Sequence, residues 1–360
     1  MRSTHETLVY VNLKTLEENF NYIKSQIPSK TKIVAVVKAF AYGLGDVKIA
    51  SHLEYLGVDT FWVADFEEGI QLRKGGIKSS IIVANPGYKS QKLILKYQLE
   101  PVIYNLRLLD LYLSSKEVIS IHIKINSGMN RYGFDYHNLP AILDKLRAQT
   151  NIKVKSICSH LSSSNDSKKD DFSQQQINQF NQSCQFINQG LKQDIPRHIL
   201  NSNGALRFSP SQNEWIRLGI SLYGGLNHNG LKQIFSLKST ICQIRNIQKG
   251  EIVGYQNSFL APQNMKIAII PVGYADGLNR KLGNQCGQVM INNCQCSIIG
   301  EISMDSFAAD VSKVDAQEGD EVIIFSPKYS VSHLAKDLNT IPYEIMATLN
   351  RRIKRLYVNE

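Results

Sequence analysis

The chain has 360 residues, of which 43% are hydrophobic and 20% are charged, a composition typical of folded rather than disordered proteins. No segment approaches the roughly 20 consecutive apolar residues that cross a bilayer, and the N-terminal stretch lacks the apolar core of an export signal. The six cysteines include a C-x-C pair, Cys294 and Cys296, but no second pair at zinc-site spacing. We therefore expect a cytoplasmic protein with reduced thiols, no membrane partner and no metal site.

The net charge of +10 is compatible with a nucleic-acid-binding protein. The lysines and arginines are scattered, however, and no basic stripe is interleaved with aromatic residues. Their densest cluster is Arg351, Arg352, Lys354 and Arg355. We expect a solvated basic surface or a site for anionic ligands, and no nucleic-acid partner.

Apolar, β-rich runs alternate with helical segments along the first part of the chain. The eight runs are 31–37, 60–64, 80–84, 100–104, 118–125, 154–161, 197–201 and 215–220. Apolar residues at spacings of three and four predict a helix over 177–191. Eight successive units predict an α/β fold, an N-terminal (β/α)8 TIM barrel. An open doubly wound sheet is the alternative, but no Gly-x-Gly-x-x-Gly follows the first strand.

The pattern changes after Gly225, where short β-rich runs separated by Gly and Asn turns replace the helical periodicity. We predict a barrel domain over residues 1–232 and a C-terminal, mostly-β domain over residues 233–360. One late helix is expected around 342–352.

Polar residues and glycines stand at the predicted carboxyl ends of the barrel strands, where barrel enzymes carry their active sites. They are Lys38 to Gly43, Gly128 to Arg131, His160, Asn201 and Ser202, and Arg217, Gly219 and Ile220. A lysine, two arginines and a histidine at one mouth suit an anionic cofactor that carries a carbonyl group.

Each of these residues taken singly has an ordinary structural explanation: a surface lysine, a core histidine, a tight turn. Lys38 differs because it directly follows the apolar sequence IVAVV, which should desolvate its amine and lower its pKa toward the nucleophilic range. Gly219 and Ser202 are small enough to let the backbone approach phosphate oxygens, as in other barrel phosphate sites.

Several motifs follow one another in a fixed order over nearly the whole chain. They are VVKAFAYGLG, KINSGMNRYGF, CSHLSSSND, LNSNGAL, IRLGISLYGG, VGYADGLNR and ISMDSF. With this set the sequence resembles the alanine racemase family, which interconverts L- and D-alanine with pyridoxal 5'-phosphate (PLP). The resemblance implies the same reaction here, and a role in supplying D-alanine for peptidoglycan.

The resemblance also implies a role for each matching residue. Lys38 attaches PLP and is one catalytic base, and Tyr274 is the other. Tyr42, Asn201, Ser202, Gly219 and Ile220 bind the cofactor, Arg217 faces its pyridine nitrogen, and His160 lies beside the second base. Arg131 and Met304 contact the substrate carboxylate, Lys124, often carbamylated in the family, orients Arg131, and Asp305 supports the site.

These roles form a consistent mechanism. Racemisation needs proton donors and acceptors on opposite faces of Cα, which a lysine and a tyrosine supply. Charge and hydrogen bonding from His160 and Arg217 should favour the phenolate of Tyr274. Arg217 keeps its own proton, so the pyridine nitrogen should stay unprotonated, which limits side reactions. In the family Lys38 and Tyr274 come from different chains, so we expect a homodimer with shared active sites.

Four positions depart from the family pattern. Phe40 and Leu44 replace a common Asn and His, Asn126 replaces an Asp, and Arg351 stands where some members have a tyrosine over the phosphate. A racemase for serine, lysine or a broad range of amino acids is therefore the main alternative. A barrel decarboxylase would need a cysteine motif that we do not find, and a PLP carrier would not need GYADG and ISMDSF.

Overall fold

A computed structural model describes residues 4–209 and 214–359. The strands are β1 (Leu8–Asn12), β2 (Ile33–Val36), β3 (Thr60–Val63), β4 (Ser80–Val83), β5 (Glu100–Ile103), β6 (Ile119–Lys124), β7 (Ile152–Cys158), β8 (Arg197–His198), β9 (Ile216–Leu218), β10 (Phe235–Thr240), β11 (Gln243–Ile247), β12 (Ile252–Val253), β13 (Phe259–Leu260), β14 (Met265–Ile270), β15 (Gln288–Ile291), β16 (Cys294–Ile299), β17 (Phe307–Asp310), β18 (Glu321–Phe325) and β19 (Lys354–Val358). The helices are α1 (Leu13–Gln26), α2 (Lys38–Gly43), α3 (Asp46–Tyr55), α4 (Phe66–Lys74), α5 (Gln91–Lys96), α6 (Leu106–Leu113), α7 (Leu139–Arg147), α8 (Asp170–Leu191), α9 (Ser202–Arg207), α10 (Val331–Asp337) and α11 (Pro342–Ala347).

Strands β2 to β9 form the predicted eight-stranded parallel barrel. Their order is β8-β7-β6-β5-β4-β3-β2-β9. The sheet closes through a bridge between Arg197 and Glu214, and the Arg217 N–H donates to the Leu200 carbonyl at 3.0 Å. Every residue of β2 and of β5 is buried, as expected where helices cover a parallel sheet.

The barrel interior is packed. Val34, Ile82, Val102 and Cys158 come from four different strands and form one cluster, against which Trp62 and Trp215 pack. Around the outside, the predicted helix over 177–191 is confirmed as part of α8, which buries Phe180, Cys184 and Ile187. The polar strand ends therefore project from a packed apolar base.

The described part of the C-terminal region contains a nine-stranded sheet in the order β11-β14-β17-β16-β15-β18-β10-β1-β19. The sequence patterns did not predict β1, which pairs antiparallel with β10 and parallel with β19. The compact unit holding this sheet includes the chain up to Asn19, residues 42–45 and residues from Leu222 onward. The boundary between residues 232 and 233 stays a prediction.

The late helix expected around 342–352 corresponds to the short helix α11, and a second short helix, α10, precedes it. Helix α11 ends at Ala347 rather than near 352, because the chain leaves the helix to enter β19. Helix α10 was missed, since its seven residues are too few for a clear periodicity, although it buries Val331, Leu334 and Ala335. Every helix of the described residues is too short or too polar to cross a lipid bilayer.

Candidate active site

Lys38 stands at the end of the first barrel strand, at the start of an unusual turn. Ala39, Phe40, Ala41 and Tyr42 all have positive φ, between 50° and 57°, so helix α2 is left-handed. Left-handed helical backbone costs an L-residue roughly 1–2 kcal/mol. The surrounding structure must therefore hold this turn in place.

Glu68, at the start of α4, holds the beginning of the turn. One carboxylate oxygen accepts from the Ala39 N–H at 2.6 Å, and the other accepts from the Ala64 N–H at 2.7 Å. Strands β2 and β3 are neighbours in the barrel, so this carboxylate joins the ends of two adjacent strands. Lys38 is thereby fixed relative to the barrel mouth.

The electrostatic environment of Lys38 favours the neutral amine. Although the residue is exposed at the mouth, desolvation and the positive charges of Arg131 and Arg217 lower its pKa, and Glu68 only partly offsets them. The predicted direction of this pKa change is confirmed. A neutral amine is the nucleophilic form that a carbonyl group requires.

Arg217 is buried on β9 and bonded along one edge. Its Nη1 donates to His198, and its Nη2 donates to the Ser159 carbonyl at 2.6 Å and to His160 Nδ1 at 3.1 Å. Burial lowers its pKa to about 10, so it stays protonated at neutral pH. Its Nε–H has no partner among the described residues.

The charge state of His160 differs from the sequence expectation. Burial and the nearby cations Arg217 and Lys124 hold its pKa well below the ordinary value, so the ring is neutral. An arginine has no acceptor, so His160 Nδ1 accepts and the ring proton is on Nε2. His160 can therefore assist a tyrosine by hydrogen bonding but not by charge.

Three donors converge on the hydroxyl oxygen of Ser202. They are the Gly219 N–H at 3.0 Å, the Ser221 N–H at 3.4 Å and the Ser221 hydroxyl at 2.9 Å. The Asn201 side chain is engaged elsewhere, since its oxygen caps α9 by accepting from Gly204 N–H at 2.9 Å. Ile220 is fully buried beside them. The Ser202 hydroxyl hydrogen is left to donate to another acceptor, such as an anion.

Lys124 and Arg131 line one small cavity together with His160. Burial, followed by the charges of Arg217 and Arg131, lowers the pKa of the Lys124 amine to about 7. A substantial fraction of this amine is therefore unprotonated at neutral pH and open to carbamylation.

Tyr274 belongs to a short 3-10 turn in the second compact unit. The Tyr274 N–H donates to the Ser303 carbonyl at 3.1 Å, and the Ala275 N–H donates to the Met304 carbonyl at 3.0 Å. A Cβ on Gly273 would lie 2.2 Å from the Met304 oxygen, so only glycine permits this approach. The exposed fractions of Tyr274 and Met304 are 44% and 55%.

Arg352 clamps the same turn. Its Nε donates to Asp276 Oδ1 at 2.7 Å and its Nη2 to Asp276 Oδ2 at 2.9 Å, while Nη2 also donates to Asp305 at 2.7 Å. Asp276 in turn accepts from the Gly273 N–H at 2.9 Å. One arginine thus joins the Tyr274 turn to the segment that carries Met304 and Asp305.

The matches to known protein families cover nearly all of the chain. The family described as alanine racemase, N-terminal domain, matches residues 11–227, and the corresponding C-terminal domain matches residues 234–357. The chain is 34% identical to the alanine racemase of Helicobacter pylori strain Shi470, over 98% of this chain and 99% of that protein. The chain belongs to the alanine racemase family.

Solved structures of the family have the same fold. Alanine racemase from Bacillus anthracis with bound L-Ala-P superposes with a TM-score of 0.92 at 26% identity, covering 100% of this chain and 97% of that chain. Alanine racemase from Bartonella henselae with covalently bound pyridoxal phosphate gives a TM-score of 0.85 at 29% identity, covering 98% of this chain and 99% of that chain.

The departures from the alanine racemase pattern have different structural consequences. Asn126 keeps the role of an acceptor, because its side-chain oxygen receives the Gly128 N–H at 3.2 Å and the Asn130 N–H at 3.0 Å. Leu44 is completely buried, so it acts in packing. Phe40 is half-buried and Arg351 is exposed.

Within the barrel, the structure brings together Lys38, Arg217, Lys124, Arg131 and His160. Lys124, Arg131 and His160 line one cavity, Arg217 donates to His160, and the charges of Arg131 and Arg217 lower the pKa of Lys38. Tyr42, Tyr274, Met304 and Asp305 belong to the other compact unit. There Tyr42 is buried against Tyr223 and Tyr343, and burial raises the pKa of its phenol.

Sequence reasoning missed Glu68 and Arg352. Glu68 follows the second strand in the first turn of a helix, at the barrel end that carries Lys38, and this placement was a usable signal. No sequence pattern indicated the bond between Arg352 and Asp276, since the two residues are 76 positions apart.

Proposed function

We propose that this protein is an alanine racemase that uses PLP bound to Lys38. The observation that carries the proposal is Lys38 itself, an amine of lowered pKa held by a left-handed turn among cations at a barrel mouth. The Helicobacter pylori relative is named alanine racemase, and the Bartonella henselae structure holds covalent pyridoxal phosphate. The reaction, the cofactor and the alanine substrate follow from membership of the alanine racemase family.

The donor set of the barrel mouth fits PLP. The Ser202 hydroxyl, which accepts from the amides of Gly219 and Ser221, is a donor suited to a phosphate oxygen. The Nε–H of Arg217, unpartnered among the described residues, suits an unprotonated ring nitrogen, and the Lys38 amine suits the aldehyde. Tyr42 and Ile220 complete the phosphate site in this proposal, and Asn201 contributes by fixing the start of α9.

When bound, PLP supplies an electron sink that weakens the Cα–H bond of the amino acid. Lys38 and Tyr274 then exchange protons with Cα from opposite faces, one removing a proton and the other delivering one. Neutral His160 donates from Nε2 to the Tyr274 oxygen, which lowers the cost of the phenolate. Arg217 remains a donor throughout, because its pKa of about 10 keeps it charged.

The substrate carboxylate is held by Arg131 and by the Met304 segment. Lys124 shares a cavity with Arg131, and its pKa of about 7 makes carbamylation feasible at neutral pH. A carbamate there would carry a negative charge and orient the Arg131 guanidinium. Asp305 fixes the Met304 segment through Arg352.

The active enzyme in this proposal is a cytoplasmic homodimer. Tyr274 and Met304 are exposed in one chain, although a catalytic phenol needs a site that excludes water. A second chain that contributes its own barrel mouth would cover them. Each site would then combine Lys38 of one chain with Tyr274 of the other.

Lys38→Ala tests the proposal. The purified wild-type protein should absorb in the visible range, and borohydride should bleach this band and fix PLP to the peptide that contains Lys38. The variant should lose covalent PLP and nearly all alanine racemisation in a chiral assay that also includes serine and lysine. Lys74→Ala, which removes an exposed lysine of α4, should keep both properties. PLP fixed at another lysine, or racemisation unchanged in Lys38→Ala, would refute the assignment.

A further inference from the structure

A series of buried, hydrogen-bonded polar side chains crosses the barrel from β9 to β5, beginning at Arg217. Arg217 Nη1 lies 2.5 Å from His198 Nδ1, and His198 Nε2 lies 2.8 Å from Ser156 Oγ. Ser156 Oγ lies 2.6 Å from His122 Nδ1, and His122 Nε2 lies 2.9 Å from Glu100 Oε2. The exposed fraction of His198, Ser156 and His122 is 0%. These polar atoms depend on one another for hydrogen bonds.

The direction of every hydrogen bond in this series follows from its two end residues, Arg217 and Glu100. Arg217 only donates, so His198 accepts at Nδ1 and carries its proton on Nε2, which donates to Ser156. The Glu100 carboxylate only accepts, so His122 carries its proton on Nε2 and accepts the Ser156 hydroxyl at Nδ1. Burial lowers the pKa of both imidazoles, which agrees with two neutral rings. Every hydrogen bond of the series is therefore donated in the same direction, from the Arg217 side toward Glu100.

The Glu100 carboxylate, at the other end of this series of hydrogen bonds, is kept charged. Glu100 also accepts from Lys155 Nζ at 2.5 Å and from the Ser80 hydroxyl at 3.0 Å. Although burial alone would raise its pKa, hydrogen bonds from His122 and Lys155 lower it to about 2. The hydrogen-bond partners of Arg217 are neutral carbonyls and imidazoles, and the aligned hydrogen bonds connect it to the charged Glu100.

Two tryptophans pack against His198 and Arg217. The His198 ring stacks on Trp215 with a centroid distance of 5.6 Å and makes a T-shaped contact with Trp62 at a centroid distance of 5.8 Å. The Arg217 guanidinium carbon lies 5.2 Å from the Trp62 ring centroid. A ring flip of His198 would interrupt its contacts with both indoles. The Nη groups of Arg217 donate to His198, to His160 and to nearby carbonyls, so its Nε–H is left for a ligand.

We propose that Glu100, His122, Ser156 and His198 form a directional hydrogen-bond relay that positions Arg217 toward the ring nitrogen of PLP. They are positioning residues, since none of them needs to touch the cofactor. The inference rests on the proposed function for the identity of the ligand at Arg217. The direction of the relay is a property of the protein alone.

Neutron diffraction from deuterated crystals of the holoenzyme at neutral pH tests the direction. We expect deuterium on Nε2 of His198 and of His122, none on Nδ1 of either ring, and the Ser156 deuterium pointing at His122. Deuterium on either Nδ1 would overturn the proposal. A wild-type protein without PLP would refute the proposed function instead, while the same proton positions would still test the relay.

A double-mutant cycle tests the effect on Arg217, with the PLP dissociation constant of the enzyme as the readout. Ser156→Ala interrupts the relay, and Glu100→Gln keeps an acceptor for His122 but removes the charge. Each should raise the dissociation constant about fivefold, the scale of coupling within one hydrogen-bond network. Glu100→Gln should have no further effect in the Ser156→Ala background.

Ser183→Ala is the matched control, because it removes a similarly buried hydroxyl on α8 that donates to the Gln179 carbonyl at 3.0 Å. It should leave PLP binding unchanged. If the effects of Glu100→Gln and Ser156→Ala multiply, or if Ser156→Ala behaves like Ser183→Ala, the relay does not position Arg217.

Discussion

Glu68 shows how one carboxylate prepares the lysine of this site without touching a substrate. Its two oxygens bind the amides of Ala39 and Ala64, so each oxygen is needed as an acceptor. Its charge also raises the pKa of Lys38, against the lowering caused by burial and by Arg131. Position and reactivity of the lysine are thus adjusted by the same residue.

Glu68→Gln should reduce racemisation about tenfold, because the amide NH2 would face one of the two N–H donors and leave it unpaired. Loss of the negative charge should also lower the pKa of Lys38 further. The measurements are kcat from a chiral assay and the fraction of protein that carries PLP. Glu67→Gln, in the same turn but exposed, should match wild type. Equal activity of the two variants would exclude a positioning role for Glu68.

At the scale of single elements, the left-handed turn after β2 is the most unusual feature of the barrel. Four consecutive L-residues adopt a conformation that isolated peptides avoid, and hydrogen bonds such as Ala41 N–H to the Val37 carbonyl at 2.9 Å retain it. The turn redirects the chain immediately after Lys38. Backbone strain is therefore concentrated beside the candidate nucleophile.

Ala39→Gly should stabilise the protein or leave it unchanged. Relief of roughly 1–2 kcal/mol of left-handed strain outweighs or balances the greater freedom of glycine in the unfolded chain, about 0.4–1 kcal/mol. Ala141→Gly, at an exposed position of the right-handed helix α7, should destabilise it by about 1 kcal/mol. Thermal unfolding of the two holoenzymes gives the comparison. A loss of stability in Ala39→Gly as large as in Ala141→Gly would mean that the turn is unstrained.

At the scale of the whole molecule, the proposed catalytic groups are distributed over two compact units. Lys38 and Arg217 lie in the barrel unit, and Tyr274, Met304 and Tyr42 lie in the unit of the nine-stranded sheet. The proposed homodimer combines them reciprocally, since a two-fold interface repeats every contact.

Mixing two inactive variants tests this sharing. In a mixed dimer of Lys38→Ala and Tyr274→Phe, one site inherits both defects and the other inherits neither. Random exchange at equal amounts makes half of the dimers mixed, so activity should recover to about a quarter of the wild-type value. Sites built within one chain would keep one defect each and show no recovery. Subunit exchange should be confirmed separately with differently tagged chains.

The sequence by itself determined the barrel, because strands buried on both faces must be apolar along their whole length and therefore stand out as continuous runs. It also pointed to Lys38, His160 and Arg217, since barrel strands place their carboxyl ends at one mouth. Their roles remained predictions that depended on the ordered motifs of the family.

Only the tertiary structure decided the rest. The pairing of β1 with β10 and β19 joins segments more than 200 residues apart, and no local pattern encodes such a partner. The left-handed turn after Lys38 runs against the intrinsic preference of alanine and phenylalanine, so propensity could not predict it. Hydrogen bonds such as Arg217 to His198 and Arg352 to Asp276 depend on which side chains the folded backbone brings together. Periodicity records which face of an element is buried, whereas the partner of a buried polar group is set by three-dimensional packing.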